Sequence, residues 1–294
     1  MHVTLAHYRN RFCMFRTYYA IAAGIVKADG LDVSVVEVPD PPSRAQEEAL
    51  IEGDVELANL YLPNFLRVKL AGAPIAGIST EWKSTAKGNG MFVRADGPVK
   101  RPEDLTGRRV ASHHKTPHAV HRYLLKHRYG VDEATLEWQS FPQEELLGAL
   151  KNGEADAVVL IDQFFFRGER DREVRCLYTD GEAWQALTGF PEMIKHMVAV
   201  REPLLREHPE LREKLLSAFK ASFAYSERHL AEIADKFLAR YGGDREAILA
   251  SARYPKIEFT FTETELKIAE DEMKMLVEMG ELAREIPIAP LFVI

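Results

Sequence analysis

Residues 107–129, GRRVASHHKTPHAVHRYLLKHRY, concentrate side chains that could do chemistry. His113, His114, His118 and His121 put four imidazoles into nine residues, with Lys115 among them. Imidazole titrates near neutrality, so His113 or His114 could move a proton as a general base. Thr116 followed by Pro117 reads as a helix start, because threonine caps free N–H groups and proline suits the first helical position. A strand at 108–112 entering that helix would offer N–H groups and a positive dipole end to an anion. The i, i+4, i+7 spacing of His114, His118 and His121 would suit a metal if the helix began earlier. A start at Thr116 leaves His114 in the turn instead. No metal and no cofactor are expected.

These side chains need a scaffold, and the surrounding chain alternates between strand and helix. Strands are predicted at 2–6, 30–38, 55–59 and 74–80, with helices after the 7–16 loop (through 27), at 43–52 and at 63–70. A second run follows, with strands at 90–97, 108–112, 136–140, 157–161, 174–178 and 193–201 and a helix at 143–152. Beyond 201 the pattern becomes helical. Its last helix starts at Thr262, which has capping-box spacing to Glu265, and runs to Met279. Short connections between alternating elements are the mark of an open, mostly parallel sheet with helices on both faces. Two crossings, near 89–94 and 191–198, imply two α/β lobes, one of residues 1–90 with 195–294 and the other of residues 91–194. The C-terminal helices are expected to pack on the first lobe.

Ligands of such folds bind at the C-terminal ends of strands. That rule gathers Arg9, Asn10 and Phe12, then Asn59 and Tyr61, then Glu81, Trp82 and Lys83. From the other lobe it adds His113, His114, Thr116 and His118, then Asp162 and Phe164. Arg9, Arg11, Lys83, Lys115 and the imidazoles outweigh Glu81 and Asp162, which suggests an anion clamp. Lys83 is expected to face the histidines across the cleft, holding a carboxylate or acting beside them in catalysis. Tyr61, Trp82, Phe12 and Phe164 could sandwich a planar ligand. The three rings at 164–166 cannot all face one core, so at least one should line a cavity or an interface.

A formal net charge of -7 argues against nucleic-acid binding, which needs a dense basic face. With 46% hydrophobic and 28% charged residues and no apolar run of ~18, the chain reads as globular, without membrane insertion. Cys13 and Cys176 form neither a disulfide framework nor a metal knuckle, and Cys13 has no visible histidine partner for nucleophilic work. The N-terminus opens directly into a strand pattern. A native Met1 would imply a cytoplasmic protein, and a removed signal peptide a periplasmic one.

Three segments carry a family resemblance: GDVELANLYLPNFLRVKLAGAPIAGIST (53–80), GMFVRADGPVKRPEDLTGRRVA (90–111) and LLGALKNGEADAVVLID (146–162). In this order they resemble type II periplasmic binding proteins of the aliphatic-sulfonate, nitrate and thiamin-pyrimidine-precursor type. The resemblance implies two lobes closing on a small anion, carboxylate or sulfonate, and an ABC permease as partner. The turn at 113–117 departs from the small residues usual in the transporters. Signal-less relatives of this fold include 4,5-dihydroxyphthalate decarboxylase-like enzymes, so a decarboxylase acting on an aromatic carboxylate is the alternative. The cysteine-rich motif of the yeast-type pyrimidine synthases is absent from this sequence.

Overall fold

A computed structural model describes residues 1–39, 44–113 and 119–293. The chain opens with β1 (His2–Tyr8), α1 (Phe12–Ala22), β2 (Asp32–Val38), α2 (Ala45–Glu52), β3 (Leu57–Tyr61), α3 (Leu62–Leu70) and β4 (Ile75–Ser84). It crosses into β5 (Asn89–Arg94), β6 (Arg109–Ser112), α4 (Ala119–Tyr129), β7 (Glu137–Ser140), α5 (Leu146–Lys151), β8 (Ala157–Ile161), α6 (Asp162–Arg170), β9 (Val174–Thr179) and α7 (Asp180–Thr188). It returns through β10 (Met193–Arg201), α8 (Glu202–Glu207), α9 (Leu211–Arg228), α10 (Leu230–Tyr241), α11 (Arg245–Ser251), β11 (Lys256–Ile257) and α12 (Glu263–Glu278).

The strands form two sheets, ordered β11-β4-β10-β3-β1-β2 and β7-β6-β8-β5-β9. The β1–β2, β1–β3, β6–β7 and β6–β8 pairs are parallel, each sheet has a crossing strand inserted antiparallel, and β11 adds a further antiparallel edge beside β4. β10 runs antiparallel between β3 and β4, and β5 runs antiparallel between β8 and β9. One face of the first sheet packs Val3, Leu5, Leu57 and Val198 against Tyr18 of α1 and Phe219 of α9. The other face places Ala58 and Leu60 with Phe65 of α3 and with Ile268 and Met273 of α12. Buried aliphatic and aromatic surface of this kind supplies the main driving force of folding.

Helices α6 and α7 were not expected from the sequence, for different reasons. In α6 the run Phe164, Phe165, Phe166 is separated by only two residues from the apolar strand β8, which blurs the boundary between strand and helix. Phe165 and Phe166 are buried while Phe164 is only half-covered, and Phe166 stacks on Tyr254 at 5.0 Å. β4 runs on to Ser84 with all ten residues buried, leaving no alternation to mark its true end. The capping box at Thr262 and Glu265 forms as expected, with the Thr262 N–H donating to Glu265 at 2.8 Å. α1 stops at Ala22, five residues short of its expected end.

The C-terminal helices touch both sheets' helices. α11 lies against α6, where Arg170 pairs with Asp244 and Glu246. α12 meets α4, where Arg122 bonds Glu281 and Lys126 bonds Glu278. At the first crossing, Gly181 of α7 approaches the 85–86 backbone so closely that a Cβ would lie 1.8 Å from the Thr85 carbonyl oxygen. Gly181→Ala is therefore expected to force this backbone apart and to cost about 1–3 kcal/mol, the range of overpacking changes. Chemical denaturation measures it. A variant as stable as wild type would mean that this contact is not obligatory.

Candidate functional site

The β4–β10 pairing is irregular where the polar residues lie. Ile194 pairs with Lys83, His196 with Trp82 and Met197 with Thr80, so Lys195 and Glu81 are each left without an opposite residue. Bulges of this kind re-aim side chains and break strict alternation. The next strand pairs His196 with Tyr61. Trp82, His196 and Tyr61 thus form one row across three strands, His196 lying 5.0 Å from Trp82 and 6.2 Å from Tyr61.

Glu81 is fully buried behind this row. Its Oε2 accepts a hydrogen bond from Asn59 Nδ2 at 2.9 Å and lies 4.0 Å from His196 Nδ1. The same Asn59 amide reaches Tyr18 Oη at 3.1 Å. Burial pushes the Glu81 carboxyl up to about 7, against the pull of Asn59, Thr17 and Arg16. Burial, Arg11 and Lys195 push the His196 imidazole down to about 3, so it works here as a neutral hydrogen-bonding ring. Glu272 of α12, also buried, accepts the Ile194 N–H at 2.6 Å, and burial lifts it to about 8 against the pull of Lys195.

The second sheet contributes Asp162 and Gln163 from the turn after β8. Gln163 Nε2 reaches the Asn10 carbonyl at 3.5 Å, and the Asp162 N–H donates to Gly88 at 2.8 Å. Asn10 and Asp162 are the non-glycine residues with positive φ among those described, at 56° and 50°. Both end a strand and lead into a helix, and the two turns meet. Left-handed backbone at such residues is uncommon and gathers at functional sites. Burial raises Asp162, offset by Arg11 and Arg16 of the first sheet's α1 region. The Cys13 thiol is pushed well up by burial and by Asp162 and Glu81, which removes thiolate character and with it a nucleophilic role. Both cysteines are free.

Lys83 is placed against expectation. It is 1% exposed and gives its ammonium to Glu265 at 2.7 Å, Glu258 at 2.9 Å and Glu192 at 3.1 Å. An ammonium with three carboxylates has no donor left for a ligand, so Lys83 is corrected from anion clamp and catalytic candidate to structural anchor. Phe12 also belongs to the core, edge-on to Phe237 at 5.2 Å, and Phe164 packs beside the Phe92 and Phe165 cluster. Arg9 is exposed, and its N–H donates to Val38. His113 is buried at the end of β6. His114, Lys115, Thr116 and His118 lie outside the described residues. His121 is buried against Asp180 at 3.2 Å. Among the described residues no three His, Cys, Asp or Glu side chains converge on a metal position. The sequence reading missed His196 and Arg16, which sit inside an apolar strand and an aromatic helix. The signal was a charged pair, Lys195 and His196, interrupting an otherwise apolar strand.

The NMT1/THI5-like family model matches residues 14–232, and the chain belongs to that family. It is 24% identical to 4,5-dihydroxyphthalate decarboxylase of Comamonas testosteroni over 244 residues, 71% of this chain and 72% of that protein. The periplasmic aliphatic sulphonate binding protein SsuA of Escherichia coli superposes with a TM-score of 0.79 at 15% identity, over 100% of this chain and 92% of that one. The alkanesulfonate-binding protein SsuA of Xanthomonas axonopodis pv. citri, bound to MOPS, gives 0.76 at 15% identity over 99% and 98%. The ligand-binding component of an ABC-type import system from Staphylococcus aureus gives 0.73 at 13% identity over 100% and 96%. The chain therefore has the periplasmic-binding-protein fold. No described helix is long and apolar enough to cross a membrane.

Two expectations follow for stability. Lys83→Met should destabilise by about 3–5 kcal/mol, because three buried or half-buried carboxylates lose their common cation. Urea denaturation measures this, and a change below about 1 kcal/mol would contradict the anchor role. The second concerns pH. Glu81 and Glu272 have folded pKa values above the ordinary glutamate range, so the stability they contribute is full below about 4.5 and is lost as pH rises through about 7 and about 8. Melting temperature should fall between pH 5 and 8, with Glu81 contributing roughly 3 kcal/mol of that slope. Glu81→Gln and Glu272→Gln should each flatten it. An unchanged slope in both variants would mean that both carboxyls are already ionised.

Proposed function

We propose that this chain captures a small organic anion, a carboxylate or sulfonate on an aromatic or aliphatic body, where the two sheets meet. The lobes closing on it would be residues 1–90 with 195–294 and residues 91–194. One observation carries the reading. Asn59 Oδ1, Glu81 Oε1 and Trp82 Nε1 from one sheet, and Asp162 Oδ2 and Gln163 Oε1 from the other, are buried without hydrogen-bond partners. Buried polar atoms are almost always satisfied; Trp82 Nε1 and a protonated Glu81 can donate to an anion, while the amide and carboxyl oxygens call for hydroxyl or N–H donors on the ligand body. The anionic class rests on Arg11 and Arg16, whose guanidiniums stand near two carboxyls that burial drives toward their neutral forms. The row of Trp82, His196 and Tyr61 suits a flat body. As a receptor the chain would serve an ABC-type permease from the periplasm.

A second reading, a lyase of an aromatic carboxylate, is favoured by Glu81. A carboxyl poised near neutrality can give up a proton. When the bond from ring carbon to carboxylate breaks, its electron pair stays on the ring carbon. That carbon takes the Glu81 proton and CO2 leaves. The similarity to a decarboxylase supports this reading too.

A thermal-shift panel of benzoate, phthalate, benzenesulfonate and ethanesulfonate tests the anion reading. A compound at 100 times its Kd should stabilise the protein by about 2.7 kcal/mol. If none of the four moves the melting temperature, the proposal fails. Overnight incubation with the best binder, followed by mass spectrometry, separates the two roles. A receptor returns the compound intact, whereas a lyase returns it one CO2 lighter.

A further inference from the structure

Lys195 holds a charge that the described residues leave without a direct partner. It is 5% exposed, and among the described residues it makes no hydrogen bond and no ion pair. Lys83, which lies opposite its neighbour Ile194 on β4, has three carboxylates for one ammonium. Two acids feel the Lys195 charge without touching it. Asp180, at the start of α7, is turned to His121 at 3.2 Å. Glu272 of α12 is turned to the Ile194 N–H at 2.6 Å. A largely buried lysine whose ammonium has no carboxylate or carbonyl beside it among the described residues is open to an acceptor that arrives from outside.

Its place in the strand indicates what arrives. Lys195 is the unopposed residue of a bulge, immediately before His196, the centre of the aromatic row. Its charge reaches that ring and helps to keep it neutral. Tyr61, at the other end of the row from Trp82, feels both Asp180 and Glu272, the two acids that flank Lys195. The ammonium therefore adjoins the Tyr61 end of the wall proposed to hold the ligand body.

We infer that Lys195 is the counter-ion of the ligand: the carboxylate or sulfonate seats on its ammonium, and the body of the molecule lies along Tyr61, His196 and Trp82. This rests on the organic-anion reading above and adds to it which group fixes the charged end. The acidic neighbours then have a task. Asp180 and Glu272 are held by His121 and by the Ile194 N–H, which keeps them from neutralising Lys195 before the ligand does.

The test compares wild type with Lys195→Met and Lys195→Arg. Isothermal titration uses phthalate and benzenesulfonate, with dimethyl phthalate and benzenesulfonamide as uncharged counterparts. Lys195→Met should bind the two acids roughly 100-fold more weakly, the order expected for a charge-assisted contact. It should bind the uncharged pair as wild type does, and Lys195→Arg should recover part of the loss. Ligand-free Lys195→Met should also melt higher than wild type, since it removes an unpaired buried charge. If wild type and Lys195→Met bind the acids equally, this inference fails and the anion reading stands. If neither acid binds wild type, this inference fails, and the anion reading fails with it if benzoate and ethanesulfonate do not bind either. If Lys195→Met melts lower than wild type, Lys195 is a structural cation for Asp180 and Glu272, and the inference is overturned.

Discussion

A charge taken out of water must be met by another charge or by hydrogen bonds, and strands β4 and β10 raise that demand three times in adjacent positions. Lys83 is met in full by Glu192, Glu258 and Glu265. Glu81 is met on one oxygen, by Asn59. Lys195 is met only at a distance. The gradient has a structural consequence. The anchor at Lys83 ties β4 to β11, to the start of α12 and to the segment entering β10, so the strand pair is rigid at that point. Demand left over a few residues away is presented from a fixed frame, and fixed polar groups recognise a ligand more selectively than mobile ones.

Most of the architecture could be read from the sequence because it depends on patterns that repeat. Alternating strands and helices, the Thr262 capping box and the β10 segment were all visible. α6 was not, since it is short and its three phenylalanines follow the apolar strand β8 almost directly. The end of β4 was not, since a strand buried on every residue has no alternation to lose. Asn59, Tyr61, Glu81, Trp82 and Asp162 were placed by a geometric rule about strand ends; Asn59 bonds Glu81, Trp82 and Tyr61 flank His196, and Asp162 starts α6 after the second sheet's β8. Lys83 followed the same rule and is placed elsewhere in function. Sequence position told where its Cα lies but not which acids, 109 to 182 residues further on, would enclose it. Lys195 and His196 were hidden in the opposite way. They belong to a returning antiparallel strand, whose N-terminal end faces the site while the rule looks only at C-terminal ends.

The two sheets come together at the turns carrying Asn10 and Asp162. Both residues adopt a backbone that glycine would adopt freely, yet neither is glycine. A side chain kept under that strain is held by its surroundings. Here each turn helps hold the other, through Gln163 on the Asn10 carbonyl and the mutual field of Asp162, Arg11 and Arg16. The strained pair therefore reports on the closeness of the two sheets, whatever chemistry proceeds between them.

The insertion of β10 between β3 and β4 also bears on how the chain is made. The flanking strands are complete by Ser84, but the strand that joins them begins at Met193. All of the second sheet's strands emerge from the ribosome in between. At typical rates of about 5–20 residues per second, that interval is roughly 5–20 s. During it, β3 and β4 each offer an unpaired backbone edge, the kind that pairs with whatever strand is nearby. The second sheet has no such wait, because its own inserted strand, β5, is synthesised first. The second sheet's strands are therefore all made before the first sheet can close. The protein's yield in a cell thus depends on keeping two nascent strands apart from strangers for that interval.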